Sequence, residues 1–355
     1  MNQIIFIELN EINFDLVRSY SEVGVILPTL TKLMQYEQLN SYSEEVYECL
    51  EPWIQWPSVH TGKTYDEHGV FRLGDVENYK GPQLFDEIEG RGYSVGNLSA
   101  MNAANRMTHP AFFIPDPWTD TPVDNSYLSH ALAQALSQTV NDNTGGKITA
   151  KSALNLAVAS IALISPQRYS WLAKKLLWAL RKPWRKAMFL DLLLAEFYYG
   201  LVKSKKPEFS TLFLNAGAHI QHHYMLSSSV LSDVQFRNPD WYVEAGADPL
   251  LEVYQQYDEI VSRIINMSNS RYIIATGLSQ KPYEMPVFYY RLRDYAAFLK
   301  LLDIEFTSVE PRMTRDFLIR FTCDAAREKA IEKLSKLTIG DIPLFGQLDK
   351  RPKGI

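Results

Sequence analysis

The sequence is poor in cysteine and has no long uncharged apolar run. Its 355 residues include only two cysteines, Cys49 and Cys323, which excludes a disulfide scaffold and a CxxC-type zinc module. No stretch of about 18 uncharged apolar residues occurs, so the sequence predicts no membrane-spanning helix. The hydrophobic share of 46% and the charged share of 22% are typical of a globular chain and exclude a disordered or collagen-like one.

The chain also lacks an excess of basic residues, and we expect no export signal. It has 36 Lys and Arg residues against 41 Asp and Glu residues, a formal net charge of −5, so we expect no nucleic-acid partner. Residues 1–3 carry no basic cluster, and the apolar run Ile4–Ile7 is too short for a signal peptide. We therefore expect a cytoplasmic protein.

Short apolar segments alternate with helical ones along the chain. The β-branched run Ile4–Ile7 is typical of a strand that is covered on both faces. Further strands are predicted at 93–98, 211–214, 272–276 and 317–321, and helices at about 15–20, 250–266 and 325–337. This alternation predicts an α/β fold of three α/β/α layers around a mainly parallel central sheet.

The middle of the chain has a different composition. Residues 168–206 contain ten Lys and Arg residues but only Asp191 and Glu196 of the opposite sign, together with Trp171, Trp178 and Trp184. We interpret 126–206 as an inserted helical cap, and 1–125 with 207–355 as the α/β core domain. Two readings of the basic segment 168–206 stay open. It is either a cap that packs on the sheet or a peripheral contact with an anionic membrane.

Polar residues cluster directly after the predicted strands. Asn10 and Glu11 follow the first strand, residues 215–224 hold three of the seven histidines, and residues 275–280 follow a later strand. Residues 51–70 form a fourth cluster, rich in aromatic and hydrogen-bonding side chains, which we interpret as pocket material. Because ligands bind at the carboxyl ends of strands in open α/β sheets, we expect these clusters to meet at one site.

The ordered motifs in these clusters resemble the alkaline phosphatase superfamily, in particular its type I phosphodiesterase and nucleotide pyrophosphatase branch. The matching segments, in chain order, are Leu9-Asn10-Glu11, Thr61-Gly62, His68-Gly69-Val70, Asn215-x-x-x-His219 and Ala275-Thr276-Gly277. The resemblance spans residues 1–75 and 207–280. It implies an alkaline phosphatase-like fold and phosphoester chemistry.

The chain departs from the family's pattern at the metal site. The position of the family's nucleophile is Pro52, and its three acidic ligand positions are Asn10, Asn215 and Thr276. Because two zinc ions need several anionic ligands to offset their charge, we do not expect a two-metal site. The cofactor stays open, with a single divalent metal such as zinc, held by His219, His223 and Glu8, as one hypothesis.

Carboxylates and histidines that could move protons are the catalytic candidates. From a wider set that includes Glu8 and His222, we select His219, His60, Glu51, Glu11 and His223. For His60 the alternative is a hydrogen-bonded structural histidine. The expected substrate-binding residues are Asn10, Trp53, Gln55, Trp56, Asn215, Arg72, Thr276, Gln280 and Arg312.

The pocket residues combine amides, carboxylates and tryptophans, a set that suits sugar rings and phosphate groups. We therefore expect a rebuilt active site that acts on a phosphoester or sugar group of a phosphorylated or lipid-linked glycan, by hydrolysis or transfer. Surface polysaccharide biosynthesis is the process that this ligand suggests. The alternatives are a non-catalytic protein that binds such a glycan or phosphate, and a conventional metal-dependent phosphodiesterase.

Overall fold

The computed structural model describes residues 3–46, 49–141, 149–231, 234–267, 270–284, 291–311 and 317–345. The strands are β1 (Ile4–Leu9), β2 (Val95–Leu98), β3 (Phe112–Ile114), β4 (Phe209–Leu214), β5 (Arg271–Ala275), β6 (Ser308–Pro311), β7 (Phe317–Arg320), β8 (Thr338–Ile339) and β9 (Ile342–Pro343). The helices in the first half are α1 (Phe14–Glu22), α2 (Pro28–Leu33), α3 (Pro52–Thr61), α4 (Tyr65–His68), α5 (Leu84–Gly90), α6 (Tyr127–Asn141) and α7 (Ala150–Leu163). Those in the second half are α8 (Tyr169–Ala179), α9 (Arg185–Lys205), α10 (Ala216–Tyr224), α11 (Pro249–Ile265), α12 (Tyr295–Leu301) and α13 (Asp324–Ser335).

Five parallel strands form the central sheet, in the order β3-β2-β4-β1-β5. β1 lies between β4 and β5, with Ile7 paired to Leu212 on one side and to Ile274 on the other. The predicted α/β class and parallel sheet are confirmed. β3 is three residues long, too short to give a recognisable pattern in the sequence.

Successive side chains of β1 point to opposite faces of the sheet, as the strand period of two requires. Ile5 and Ile7 belong to a core cluster with residues of α1, α9, α10 and α11. Phe6 belongs to a second cluster with Trp56 of α3 and Phe85 of α5. Helices therefore cover both faces, an arrangement compatible with three α/β/α layers.

Residues 52–61, which we interpreted as pocket material, form helix α3. Pro52 stands in its first turn, where proline is tolerated, and Gly62 ends it in the left-handed region at φ 66°. Ile54, Trp56 and His60 are buried on this helix. The apolar periodicity of this helix is not recognisable in the sequence, because a histidine and an internal proline are among its buried residues.

The chain divides into two compact units. The first contains residues 1–140 and 148–286, and the second contains residues 141–147 and 287–355. Apart from 141–147, the segment 126–206 thus belongs to the same unit as the sheet. The boundaries differ from those drawn from composition, because α9 packs along the buried strands β2 and β4.

The second unit has a hydrophobic core of its own, which includes Leu299, Ile319 and Leu334. The strand predicted at 317–321 is present as β7, and the helix predicted at 325–337 is present as α13. β7 pairs with β6 in an antiparallel ladder and is not a strand of the parallel sheet.

The tryptophans of the basic segment point inward. Trp184 is buried, and Trp171 and Trp178 pack against the larger core cluster. Within the ranges that the structure describes, no helix is long and apolar enough to cross a membrane.

Candidate functional site

Three of the predicted polar segments meet at the carboxyl ends of β1, β4 and β5. The backbone N–H of Asn10 donates to the carbonyl of Leu214 at 3.0 Å, and the N–H of Glu11 donates to the carbonyl of Thr276 at 2.8 Å. The first residues after β1 are thus tied to the ends of both neighbouring strands. This edge of a parallel sheet is where ligands bind.

Two amides and an indole form the floor of the site. Asn10 Nδ2 donates to Asn215 Oδ1 at 2.8 Å, and Trp56 Nε1 donates to Asn10 Oδ1 at 2.7 Å. The Trp56 ring lies beside Gly277, where an added Cβ would meet the indole at 3.3 Å. Asn10, Trp56 and Asn215 therefore lie together, as expected from the sequence. The side-chain oxygen of Asn215 already accepts from Asn10, and that of Asn10 already accepts from Trp56.

Glu11 is the centre of the site. Its Oε2 accepts from His222 Nε2 at 2.8 Å and from the side-chain amide of Gln280. Its backbone has φ 59°, a left-handed conformation that is uncommon for glutamate. The carbonyl of Glu11 accepts from Gln221 Nε2 at 2.5 Å, so backbone contacts on both sides hold this conformation.

The Glu11 carboxylate is nearly inaccessible, with the residue only 1% exposed, and its Oε1 has no partner among the described residues. A buried carboxylate oxygen without a partner is costly. Conformational strain and an unpaired buried oxygen in the same residue are features that cluster at functional sites.

Glu51 and His222 are electrostatically linked to Glu11. Burial raises the pKa of Glu51, and the negative charge of Glu11 raises it further, while His222 opposes both effects. Burial acts to lower the pKa of His222, but the hydrogen bond and the charge of Glu11 outweigh it and the pKa is raised. Both groups therefore hold their protons at higher pH than they would in water.

The other two histidines of α10 are held in the neutral form. His219 and His223 are one helical turn apart, as predicted, with ring centroids separated by 4.8 Å. Burial and the neighbouring His223 and His222 lower the pKa of His219 to about 4. Burial and His222 lower the pKa of His223, whose Nδ1 lies 3.3 Å from the hydroxyl of Tyr242.

A buried network sets the position of α10. Asp191 Oδ2 accepts from the N–H of Ala216 at 2.7 Å and from the hydroxyl of Tyr257 at 2.6 Å. The Tyr257 hydroxyl in turn accepts from the N–H of Gly217 at 2.8 Å. A Cβ on Gly217 would lie 2.5 Å from Ile12 Cδ1, so only glycine allows this close packing without a shift.

His60 and Glu8 lie in the core and not at the edge of the sheet. His60 Nε2 and Glu8 Oε1 are 3.0 Å apart, and Thr211 Oγ1 donates to the same Glu8 oxygen at 3.0 Å. The side chains of His60 and Glu8 are 0% exposed. His60 is thus a buried, hydrogen-bonded histidine, because its helix turns it onto the sheet.

The hypothetical zinc ligands do not come together. Glu8 pairs with His60, while His219 and His223 lie on α10. Across the parts of the chain that the structure describes, no three His, Cys, Asp or Glu residues are placed to hold a metal ion.

Three of the remaining predicted substrate-binding residues, Trp53, Arg72 and Thr276, accept hydrogen bonds at their backbone carbonyls, and Gln55 donates through its side chain. Asn102 Nδ2 donates to the carbonyls of Trp53 at 2.7 Å and Arg72 at 2.9 Å, and Gln55 Nε2 donates to the carbonyl of Cys49 at 2.9 Å. Thr276 contributes its carbonyl to Glu11. Arg312 lies outside the described residues.

His222, Gln221, Asp191 and Tyr257 were not selected from the sequence. His222 was in the wider acid–base set, but the resemblance favoured His219, which fills a motif position. A usable signal was present for Asp191, because it is the first acidic residue after a long basic segment and precedes a run of apolar residues.

Neither a protein-family model nor a curated protein matches the chain.

Proposed function

We propose that this chain is an enzyme that acts on a phosphoester or sugar group of a phosphorylated or lipid-linked glycan, with acid–base catalysis by Glu11, Glu51 and His222. The observation that carries the proposal is the strained, buried Glu11 paired with His222 beside a second carboxyl group of raised pKa. Perturbed titratable groups gathered at a strand-end site are typical of catalytic centres.

The two carboxyl groups suit different tasks. The raised pKa of Glu51 makes it the proton donor to a leaving oxygen. Glu11, through its hydrogen bond with His222, serves as the base that takes the proton of an attacking hydroxyl or water. Two carboxyl groups whose environments differ are the usual basis for separate acid and base roles.

The surroundings of Glu11 favour a sugar group at the reacting position. Its neighbours are the carboxyl of Glu51, the imidazole of His222 and the amides of Gln221 and Gln280. Carboxylates accept hydrogen bonds from sugar hydroxyls but repel a phosphate. In a complex, a sugar hydroxyl takes the position of the Gln280 amide, which now donates to Glu11.

The alkaline phosphatase-like ancestry is part of the proposal. The order of the five motifs along the chain supports it, as do the positions of three of them directly after β1, β4 and β5. The donors at the family's metal positions do not fit a metal pair, since Asn10 and Asn215 are uncharged and hydrogen-bonded to each other. The proposed acid–base reaction therefore uses no metal ion.

The test is a substrate screen on matched variants. The purified chain is assayed with p-nitrophenyl glycosides, p-nitrophenyl phosphate and bis-p-nitrophenyl phosphate, and by glycan release from lipid-linked oligosaccharides. With the substrate that turns over, Glu51→Gln and His222→Gln should each lower kcat by roughly 100-fold or more. His130→Gln, on an exposed histidine of α6, is the control and should keep full activity.

Two results contradict the proposal. One is activity that survives in both Glu51→Gln and His222→Gln. The other is glycan binding by the wild-type chain, measured by calorimetry, with no turnover of the bound glycan. The second result would establish a binding protein at the same site.

A further inference from the structure

Positive charge is concentrated in one acid-free segment of the chain. Residues 143–190 contain nine Lys and Arg residues and no Asp or Glu. Since the whole chain carries −5, the remainder carries −14. Such asymmetry in a sequence favours a negatively charged partner for those cations that form no ion pair within the fold.

Some of these cations attach α8 to the rest of the first unit. Arg168 and Lys175 form ion pairs with Glu196 at 2.7 Å and Glu259 at 2.9 Å. The Arg168 guanidinium also lies 3.5 Å from the centroid of the Trp171 ring. These contacts orient α8 and fix which of its faces points to solvent.

The outer face of α8 combines leucines with cations. Leu176 and Leu177 of α8 and Leu180 directly after it are 42%, 61% and 63% exposed. Lys174 precedes these leucines in the sequence and Arg181 follows them; both are exposed and form no ion pair with a described residue. Exposed leucines beside exposed cations are unusual for a helix whose outer face meets only water.

We propose that this face of α8 docks onto the headgroup region of an anionic lipid bilayer. The leucines enter the boundary between headgroups and acyl chains, and Lys174 and Arg181 reach back to the lipid phosphates. The contact uses leucine and not tryptophan, because Trp171 and Trp178 are turned toward the core. A nucleic acid would use the cations but would leave the leucines in water.

The proposal does not depend on the chemistry at Glu11 and is tested without a substrate. The full chain is co-sedimented with phosphatidylcholine vesicles, with and without phosphatidylglycerol, at low and high salt. We expect binding only to the anionic vesicles, and weaker binding at high salt.

Two double variants separate the charged part of the contact from the apolar part. Lys174→Gln/Arg181→Gln removes two cations and should lower the partition coefficient roughly 30-fold. Leu177→Ser/Leu180→Ser should lower it roughly tenfold or more. The matched controls are Lys300→Gln/Lys329→Gln and Leu301→Ser, exposed residues of the second unit, and they should bind as the wild type does. Circular dichroism checks that each variant is folded.

Three results would overturn the proposal. The first is a wild-type chain that stays in the supernatant with anionic vesicles. The second is vesicle binding that the leucine variant leaves unchanged, which would show attraction by charge alone, as for a polyanion such as nucleic acid. The third is a dimer that dissociates in the leucine variant while vesicle binding is unaffected, which would assign this face to a second copy of the chain.

Discussion

The hydroxyl of Tyr257 connects the core to the helix that carries the three histidines. It donates to Asp191 at 2.6 Å and accepts from the N–H of Gly217 at 2.8 Å, with Tyr257 fully buried. Tyr257→Phe keeps the ring and removes only this oxygen. The variant therefore leaves a buried N–H without its partner and deprives a buried carboxyl group of one hydrogen bond.

The expected loss of free energy of unfolding is the sum of the effects on these two groups. An unsatisfied buried donor costs about 1–3 kcal/mol, and a hydrogen bond to a charged group contributes a similar amount. We expect Tyr257→Phe to lower the free energy of unfolding by about 3 kcal/mol, equivalent to a fall in Tm of roughly 5 °C for a unit of this size. The proton NMR signal of the His222 imidazole should also shift, because the first turn of its helix, α10, loses a contact.

Tryptophan fluorescence is a suitable assay, since all seven tryptophans lie in the first unit. Urea unfolding of wild type and Tyr257→Phe gives the difference, with Tyr127→Phe, a tyrosine 71% exposed, as the control. A loss below about 0.5 kcal/mol would show that water replaces the hydroxyl at no cost, and the argument that this network holds α10 would fail.

Two further predictions concern titratable pairs. His60→Leu should destabilise the first unit by roughly 3 kcal/mol, since it leaves Glu8 in the core without its imidazole partner. The control His130→Leu, on the surface, should change the free energy of unfolding by less than about 0.5 kcal/mol. Equal effects of the two substitutions in urea unfolding would contradict a stabilising contact between His60 and Glu8. The raised pKa of His222 means that its contribution to stability is full below its unfolded pKa and is lost as the pH rises through the folded value. Proton NMR titration should show a raised His222 pKa in the wild type and a lower one in Glu11→Gln, because burial then acts without the charge of Glu11. A pKa unchanged by that substitution would refute the pairing.

The sequence-based prediction placed the strand-end segments together better than it identified the contacts among their residues. Asn10, Glu11, Asn215 and Gln280 were expected at one edge because each follows a strand, and hydrogen bonds connect them there. Glu51 was chosen as an acid–base group, and its catalytic role stays a prediction. Which histidine of α10 meets Glu11 was not predictable, because neighbouring residues of a helix differ by about 100° in direction and the sequence does not give the helix's rotation.

Local pattern alone determined the parallel strands at 4–7, 93–98, 211–214 and 272–276 and the helices that alternate with them, because apolar periodicity is a property of neighbouring residues. Tertiary structure decided the rest. It placed His60 against Glu8 in the core, turned Trp178 inward and held Glu11 at positive φ. Each of these outcomes depends on contacts between residues far apart in the chain, and the free energy of such contacts is not encoded in any one segment.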